Sequence, residues 1–576
     1  MKSFFYTLII LLSFESLRSQ SPNFVWAKQF GGTLATGTPD MGNSIKVDPS
    51  GNVYTVGDYA GNVDFDPGPS TYTLGNTIGN LFISKLDAAG NFVWAKQIGS
   101  GAGLYSKGFV FDAIGNIYVT GGFYGVGDFD PGPSSFILTS IGNFDAFVVK
   151  LDNSGNFIWA KQFGGGPATF AYAITVDNSY NVYTTGRFMD FADFDPGIGT
   201  YSFTTSSPVL SDCFISKLDA TGNFVWAKQT LGSQYNWGNS ICIDPFNNVC
   251  LTGFFSGSVD FDPGPSTYTL TSLGGYDVFV SKLDALGNFI FTRQLGGIGN
   301  EEGKSIKTNT IGDLIINGYF GATVDFDPGL STFSMTAIAG NDVFVSKLDA
   351  SGSFVWAKQI GGIGEDIPSD LALDANSNVY SIGYFESTAD FDPGPSFFNL
   401  NTAPGSNPYR TDIFISKLDV NGNFSWAIQL GDTSFDEGHS IAVDINNYVY
   451  TTGFFRKDTT DFDPGIGTFT LCPIGEQDIF IHKMCQGCSL GINENISEKE
   501  SVHIYPNPTN DIINLKLNEH FIGGSIQIFD AIGKLIQTQT IKTKNEKINL
   551  NLNSGIYFIK ATTKEGVSKT EKLVIE

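Results

Sequence analysis

Basic residues are scarce in this 576-residue sequence. It holds 33 Lys and Arg against 58 Asp and Glu, which gives a formal net charge of −25. The excess lies in residues 1–502, because residues 503–576 hold nine Lys and seven acidic residues. A surface of this sign repels phosphate backbones, whose binding needs clustered Lys and Arg. We therefore expect no nucleic-acid partner and regard cations or cationic polymers as more plausible.

Histidine and cysteine are too few to form a recognisable zinc site. No HExxH motif and no spaced Cys/His set occurs. Cys485-Gln-Gly-Cys488 stands alone, so a disulfide, which can also involve Cys472, is favoured over a metal. Cys242 and Cys250 face each other across a predicted hairpin, which allows a cross-strand disulfide or two buried thiols. The four histidines are His439, His482, His503 and His520.

Long apolar runs are absent after the N-terminus. The first 20 residues, MKSFFYTLIILLSFESLRSQ, combine Lys2, an apolar run from Phe4 to Phe14 and the small Ser19. This pattern predicts a cleaved secretory signal over residues 1–19, which is too short to span a membrane. No later segment has enough consecutive apolar residues for a membrane helix, so we predict no transmembrane segment.

The sequence is rich instead in glycine, proline and aromatic residues. It has 68 Gly, 23 Pro and 14% aromatic residues with only 16% charged ones, which indicates a turn-rich all-β protein. A unit of about 65 residues recurs along the chain. Each unit has a first, a second, a third and an outer strand, as in SIKVD, NVYTVGDY, LFISKLD and NFVWAKQ. Tight D-x-x-G-N turns join first to second and third to outer strands, which predicts a four-stranded meander, the blade of a propeller.

The two ends of the repeat region are complementary. The chain begins with an outer strand, Phe24 to Gln29, and ends with first, second and third strands, Ser440 to Met484. The strand counts match only if the N-terminal strand completes the last blade. We therefore predict an all-β chain with a seven-bladed β-propeller over residues 20–484, closed by its N-terminal strand. A linker over 485–502 and a small immunoglobulin-like β-sandwich over 503–576 follow.

The five residues DFDPG recur seven times between second and third strands. In an extended Asp-Phe-Asp the two carboxylates point one way and the Phe points the other. The carboxylates either cap backbone amides around a buried Phe, or bind Ca²⁺ together with backbone carbonyls. Asp-Pro-Gly also predicts a type II turn leading into a returning strand, so each blade gains a flap. The candidate Ca²⁺ ligands are Asp64, Asp66, Asp128, Asp130, Asp193, Asp195, Asp260, Asp262, Asp325, Asp327, Asp390, Asp392, Asp461 and Asp463.

The pattern D-x-x-G-N-V-Y-x-T-G, followed by D-x-F-(I/V)-S-K-L-D and G-N-F, resembles the bacterial beta-propeller repeat family called SBBP. The resemblance covers residues 20–484. It implies the propeller fold and no particular activity. The DFDPG insertion is an addition to the family pattern.

Residues 503–576 resemble the type A C-terminal sorting domain of the type IX secretion system. The segments YPNP, SIQIFDAIGKLI and GIYFIKATTKEGVSKTEKLVIE carry the resemblance. It implies passage through the periplasm and the outer membrane, contact with the secretion machinery, removal of this domain, and release or attachment at the cell surface. The residues of this motif are Tyr505, Pro506, Asn507, Pro508, Gly533, Lys534, Gly555, Tyr557 and Lys572.

Three functions remain compatible with the sequence. A binding or adhesion propeller with a glycan or surface-protein ligand fits the uniform blades. A secreted polysaccharide hydrolase or lyase needs one blade that breaks the pattern, and the loop NTAPGSNPYRTD at 401–412 is the best candidate. A purely structural surface protein would have no ligand. Gly438-His439-Ser440 is a repeat position rather than a nucleophile elbow, so no catalytic residue is assigned, and Ca²⁺ is the one candidate cofactor.

Overall fold

The computed structural model describes residues 21–33, 40–402, 410–486, 502–509, 511–517, 519–530, 534–564 and 568–575. The chain divides into two compact units, residues 1–487 and 488–576. The described residues form strands, one short 3-10 turn at Glu519–Phe521 and no α-helix, which confirms the all-β class. None of their elements is a helix long and apolar enough to cross a bilayer. The predicted signal segment and most of the predicted linker lie outside the described residues.

Seven four-stranded repeats make up the larger unit. The first strands are Met41–Val47, Ser100–Phe111, Ala168–Val176, Asn236–Ile243, Glu301–Thr308, Ile367–Leu373 and Glu437–Val443. The second strands are Val53–Asp64, Ile117–Asp128, Val182–Met189, Val249–Phe255, Leu314–Phe320, Val379–Phe385 and Tyr448–Arg456. The third strands are Thr73–Leu86, Asp145–Leu151, Ser211–Leu218, Asp277–Leu283, Asp342–Leu348, Asp412–Leu418 and Gln477–Cys485. The outer strands are Asn23–Thr33, Phe92–Ile98, Phe157–Gly165, Phe224–Gly232, Phe289–Gly297, Phe354–Gly362 and Phe424–Leu430.

Short flap strands lie between the second and third strands. They are Ile137–Thr139, the pair Phe191–Asp193 and Ser202–Thr204, the pair Ser258–Asp260 and Thr269–Thr271, the pair Thr323–Asp325 and Ser334–Thr336, the pair Thr388–Asp390 and Asn399–Asn401, and the pair Thr460–Asp461 and Thr470–Leu471. In the first repeat, and for one strand of the second, the flap is continuous with the longer strands. The returning strands expected after DFDPG are therefore present.

The D-x-x-G-N turns form as the sequence predicts. Asp48 Oδ1 accepts hydrogen bonds from the amides of Ser50 and Asn52, each at 2.9 Å. Gly51 has a φ of 81°, a conformation that glycine adopts without a Cβ clash. The turn thus reverses the chain within a few residues, and first and second strands pair antiparallel, with Val47 opposite Val53.

The hydrophobic core lies between neighbouring repeats. One cluster joins Cys242 of one repeat to Ile306, Ile316 and Phe344 of the next, and all but Cys242 are fully buried. Each sheet therefore packs its faces against the sheets before and after it. Burial of this kind stabilises by about 25 cal/mol per Å² of apolar surface removed from water. A single repeat could not bury these faces alone.

The N-terminal strand pairs with the third strand of the last repeat. Its register places Phe24 opposite Met484 and Phe30 opposite Ile479. Side chains of the first and last repeats share one buried cluster. The amide of Ile45 also donates to Ser440 Oγ at 3.3 Å. The two ends of the repeat region are therefore joined by both a strand ladder and a common core.

The described residues of the smaller unit form seven strands in two sheets. Val502–Tyr505, Ile512–Leu517 and Asn545–Asn549 form one sheet, and Leu535–Thr540, Ser525–Asp530, Gly555–Thr562 and Ser568–Ile575 form the other. A separate buried cluster, with Ile513, Ile528 and Ile559 at its centre, fills the space between them. This unit therefore has a core of its own.

We expect the N-terminal strand to contribute much of the stability of the larger unit. Deleting Ser21 to Gln29 exposes the edge of the third strand Gln477–Cys485 and the cluster beneath it, so the thermal midpoint should fall. A chain that begins at Ser21 is the control. Equal thermal midpoints for the two chains would contradict the expectation.

Candidate functional site

All seven DFDPG segments have the same hydrogen-bond pattern. Asp64 Oδ1 accepts from the amides of Asp66 and Tyr72 at 3.0 and 2.8 Å, and Asp66 Oδ1 accepts from Gly68 at 2.8 Å. The other six copies repeat these bonds, the fifth with Asp325 and Asp327. In Asp128, burial raises the carboxyl pKa, but the amides of Phe136 and Asp130 outweigh it and lower the pKa overall. The carboxylates therefore serve as acceptors for amides that the turn leaves without partners.

The central Phe of each DFDPG is fully buried, as in Phe326. Its ring lies 5.3 Å from that of Phe320 and 5.0 Å from that of Phe344, so it fills the space between second and third strands. Asp325, the residue before it, pairs with Gly296 at the end of the preceding outer strand. Each DFDPG segment thus packs into the core of its own repeat and pairs with the outer strand of the preceding repeat.

The expected type II turn at Asp-Pro-Gly is wrong. Gly68 lacks the positive φ that position i+2 of such a turn requires, and so do its six counterparts. The aspartate side chain closes the turn instead, by accepting the amide two residues on. A Cβ on Gly68 would lie 2.9 Å from Asp66 Oδ1, so glycine is needed here for close approach to the carboxylate rather than for backbone freedom.

We expect Phe326→Ala to destabilise the larger unit by about 3–5 kcal/mol, because it leaves a cavity between two strands. Leu330→Ala is the matched control, since this side chain, in the same turn, is fully exposed. Chemical unfolding of both variants gives the comparison. Equal losses in the two variants would show that the buried ring is not what the repeated motif contributes.

A central cavity of 310 Å³ is lined by the first strands of all seven repeats. A wider cavity of 510 Å³ shares several of these residues and adds Trp237 and Tyr384. The first strands run beside one another around this space, and their side chains alternate between it and the core. One lining residue from each strand, in chain order, is Lys46, Phe109, Ile174, Ser240, Lys307, Asp370 and Ser440.

The central cavity is basic although the protein is strongly acidic. Lys46, Lys107, Lys304 and Lys307 line it, against the single carboxylate of Asp370. Lys307 Nζ lies 3.5 Å from Asp370 Oδ1 and Lys304 Nζ lies 2.9 Å from Glu302 Oε1. Within the described residues neither of the other two lysines has an ion pair. Asp370 acts electrostatically on Lys46 and Lys107 acts on Asp58, so acidic groups compensate part of the positive charge of the cavity.

Burial and neighbouring charges shift the pKa values of Lys46 and Asp370. Burial lowers the pKa of Lys46 and Lys307 lowers it further, while Asp370 opposes both. Burial raises the pKa of Asp370, but Lys307 and Lys46 outweigh it and lower the pKa overall. Ser305 and Ser440 donate to its two oxygens at 2.9 Å each. Both oxygens of Asp370 thus already accept hydrogen bonds.

Aromatic side chains line the wider cavity. Tyr172, Trp237 and Tyr384 contribute to it, together with Glu302 and Glu437. The guanidinium of Arg187 lies 4.1 Å from the ring centre of Trp237, which holds that ring in place by a cation–π contact. Flat rings beside a basic recess form an arrangement suited to a ring-shaped ligand that bears a negative charge. Sequence reasoning missed this site, although lysines inside the first strands of an acidic protein were a usable signal.

Cysteine and histidine side chains form no metal centre in the described parts of the chain. No group of three or more His, Cys, Asp or Glu side chains there can hold one metal ion. Cys242 and Cys250 are opposite each other but are free, buried thiols. Cys472 is also free, so the disulfide of this region does not involve it. Cys485 is disulfide-bonded. Burial lowers the pKa of His482 to about 3, which keeps its ring neutral.

The residues of the expected sorting motif lie along the last strands. Asn507 donates to the carbonyl of Lys572 at 2.6 Å and accepts from the amide of Val574 at 2.9 Å. The hydroxyl of Tyr557 donates to the carbonyl of Asn553 at 3.0 Å. The amide of Lys534 donates to Asp530 at 2.8 Å. Tyr505, Pro506, Pro508 and Gly555 lie within the described strands and turns, whereas Gly533 and most of the loop at 401–412 lie outside the described residues.

Two protein families match the chain. Residues 503–576 match the secretion system C-terminal sorting domain, and residues 25–62, 158–187, 355–384 and 425–453 match the SBBP beta-propeller repeat. The chain thus carries SBBP beta-propeller repeats and a C-terminal sorting domain of the type IX secretion system. Both resemblances found in the sequence are confirmed. The sorting domain indicates export through the type IX secretion system to the cell surface or the extracellular space.

Two curated relatives share part of the repeat region. An uncharacterized WD repeat-containing protein, L264 of Acanthamoeba polyphaga mimivirus, is 26% identical over 406 residues, 60% of this chain and 29% of its own length. The regulatory protein FlaEY of Caulobacter vibrioides is 27% identical over 150 residues, 26% of this chain and 15% of its own length. The chain thus matches less than a third of the length of either relative.

Solved structures with similar chains include PorZ and Sqt1. PorZ, a surface component of the type-IX secretion system of Porphyromonas gingivalis, aligns with 95% of this chain and 100% of its own at 11% identity and a TM-score of 0.23. Sqt1 of Chaetomium thermophilum aligns with 75% of this chain and 97% of its own at 10% identity and a TM-score of 0.29.

Proposed function

We propose that residues 20–484 form a closed seven-bladed propeller whose central cavity binds an acidic saccharide at the cell surface. Closure is supported by the pairing of the N-terminal strand with the last repeat and by the lining of one cavity by seven first strands. Residues 485–502 are the linker and residues 503–576 the sorting domain, with an immunoglobulin-like arrangement of its seven strands. Residues 1–19 are the signal that brings the chain to the periplasm.

The class of ligand is inferred from the lysines of the central cavity and from the aromatic rings of the wider cavity that shares residues with it. Lys46 and Lys107 lack ion pairs within the described residues, so a carboxylate or sulfate can pair with them. Trp237 and Tyr172 add aromatic surface to the wider cavity. The part of this surface that Arg187 leaves uncovered can pack against a sugar ring. The net charge of −25 disfavours an anionic ligand elsewhere on the protein, so the lysines of the central cavity are the groups expected to hold it.

Asp370 and Glu302 are better suited to binding than to general acid catalysis. A general acid needs a carboxyl group whose pKa lies near the working pH. Asp370 has its pKa lowered by two lysines and its oxygens occupied by serines. Glu302 is held by Lys304 at 2.9 Å and by the hydroxyl of Tyr319 at 2.8 Å. Neither carboxylate is placed to transfer a proton to a glycosidic oxygen.

We expect the double variant Lys46→Met with Lys107→Met to bind a polygalacturonate or chondroitin sulfate fragment at least about tenfold more weakly, because a charge-assisted hydrogen bond contributes about 1.5–3 kcal/mol. Lys358→Met, in an outer strand away from the cavity, is the control. Calorimetry at low and high salt measures both. Equal affinity of variant and wild type, or equal binding of a neutral polysaccharide, would overturn the ligand assignment.

We also expect removal of Ser501 to Glu576 to leave the propeller in the periplasm, since the sorting domain is then absent. The truncated chain should still melt as the full chain does, because the two units have separate cores. Cell fractionation with surface protease treatment measures delivery. Normal arrival of the truncated chain at the surface would refute the role of the sorting domain.

A further inference from the structure

Pairs of carboxyl groups are buried at four consecutive junctions between repeats. One member is an Asp in the first or second position of a third strand. The other begins the first strand of the next repeat or directly precedes it. All eight residues are at most 6% exposed. The pairs are Asp277 with Glu301, Asp342 with Asp366, Asp412 with Asp436 and, where the last repeat meets the first, Asp478 with Asp40.

The backbone places the second acid of a pair next to the first. The amide of Glu301 donates to the carbonyl directly before Asp277 at 2.8 Å. The corresponding bonds at the next two junctions measure 2.8 and 2.9 Å. Asp40 has the same place in the first repeat, because Gly42, two residues later, pairs with its second strand as Gly303 does. The four junctions therefore share one arrangement.

Neutral groups donate the hydrogen bonds that these carboxylates accept. Asp277 Oδ2 accepts from the amide of Leu273 at 3.0 Å and from the side chain of Gln294. Glu301 Oε2 accepts from the amide of Gly297 at 3.2 Å. In the described part of the chain, six of the acids form no ion pair with Lys or Arg. They are Asp277, Glu301, Asp342, Asp366, Asp478 and Asp40.

The other titratable groups that face the pairs add no positive charge. Glu365 and Glu386 add negative charge at the junction of the fifth and sixth repeats. Asp432 does so at the junction of the sixth and seventh. The phenol of Tyr59 faces Asp40, and burial and that carboxyl both raise the phenol's pKa. The pairs therefore have no basic group to compensate them.

Burial and the neighbouring acid favour the protonated form of one carboxyl in each pair. Burial, and then the partner carboxyl, raise the pKa of Glu301 to about 7, of Asp366 to about 8 and of Asp40 to about 7. Burial and nearby acids raise the pKa of Asp436 well above its ordinary value. Two ionised carboxylates in a dry junction repel each other, so a pair takes up positive charge. Within the described residues no third acid, His or Cys joins a pair to hold a metal ion, which leaves a proton.

The three remaining junctions have no acid pair. Asn236 takes the second place at one of them, and its Nδ2 donates to Asp212 Oδ1 at 2.8 Å. The amide thus supplies the hydrogen that a second acid could supply only when protonated. The acid pairs follow one another from the fourth repeat round to the first. The other two neutral junctions combine Asp145 with Thr169 and Asn80 with Leu104.

We propose that each of the four acid junctions keeps one proton at neutral pH, and that loss of these protons weakens the packing of neighbouring repeats. A carboxyl whose pKa is higher in the folded than in the unfolded chain stabilises the fold fully below its unfolded pKa, about 4. That contribution is lost as pH rises through the folded pKa, here about 7 for Glu301 and about 8 for Asp366. The larger unit is therefore sensitive to alkaline pH at four junctions and insensitive at the other three.

The test compares the folding equilibrium constant of the full exported chain at about pH 5.5 and about pH 8.5. EDTA is present, so that no divalent cation can take the place of the proton. All seven tryptophans lie between residues 26 and 426, so their fluorescence during urea unfolding reports the larger unit. The variants Glu301→Gln and Asp366→Asn replace an acid with a neutral amide of the same shape. For each, the ratio of its constant to that of the wild type should grow at least about tenfold between the two pH values, because one proton changes the constant by up to about tenfold per pH unit.

Two further variants serve as a gain of sensitivity and as a control. Asn236→Asp builds a fifth acid pair with Asp212, so its ratio to the wild type should fall at least about tenfold over the same range. Leu330→Ala, at a fully exposed side chain, should have the same ratio at both pH values. Because only the change of the ratio with pH is compared, a packing loss that is equal at both pH values does not affect the result.

Infrared difference spectra of the wild type need no variant. Between about pH 6 and about pH 9 the folded chain should lose absorption from protonated carboxyl groups as the pairs ionise. Ratios for Glu301→Gln and Asp366→Asn that do not change with pH would overturn the proposal. An infrared spectrum without protonated carboxyl groups at pH 6 would overturn it as well, even if the variants failed to fold.

Discussion

The burial of seven phenylalanines beside seven pairs of capping carboxylates is the constraint on which the larger unit depends. The ring of Phe326 can be buried only if the chain turns sharply on both sides of it, and a sharp turn leaves backbone amides without partners. Asp325 and Asp327 accept those amides. The burial of the phenylalanine ring and the capping of the backbone amides by the two aspartates therefore depend on each other.

The same motif explains why the repeats assemble in sequence order. Asp325 pairs with the end of the preceding outer strand, so each flap completes a ladder that begins in another repeat. A repeat that lost its flap would expose an edge on its neighbour as well as on itself. The uniformity of DFDPG among otherwise divergent repeats follows from this double role, because a change at one copy affects two sheets.

The strands and their turns could be predicted from the sequence because their causes are local. The apolar alternation of each segment and the Asp and Gly of each D-x-x-G-N turn specify a hairpin within about ten residues. The geometry at Gly68 could not be predicted, because Pro-Gly is compatible with more than one turn and a side-chain acceptor decides between them. The basic central cavity was missed for another reason. Its lining residues belong to different repeats, and only the assembled sheets bring them together.

The position of the last third strand has a mechanical consequence. Gln477–Cys485 lies between the second strand of its own repeat and the N-terminal strand, and it is hydrogen-bonded to both along its length. The chain that leads to the sorting domain leaves from the end of this strand. A pulling force on that exit loads two ladders in shear, so many hydrogen bonds must break together rather than one after another. Load applied at that exit is therefore carried by a strand that is paired on both sides.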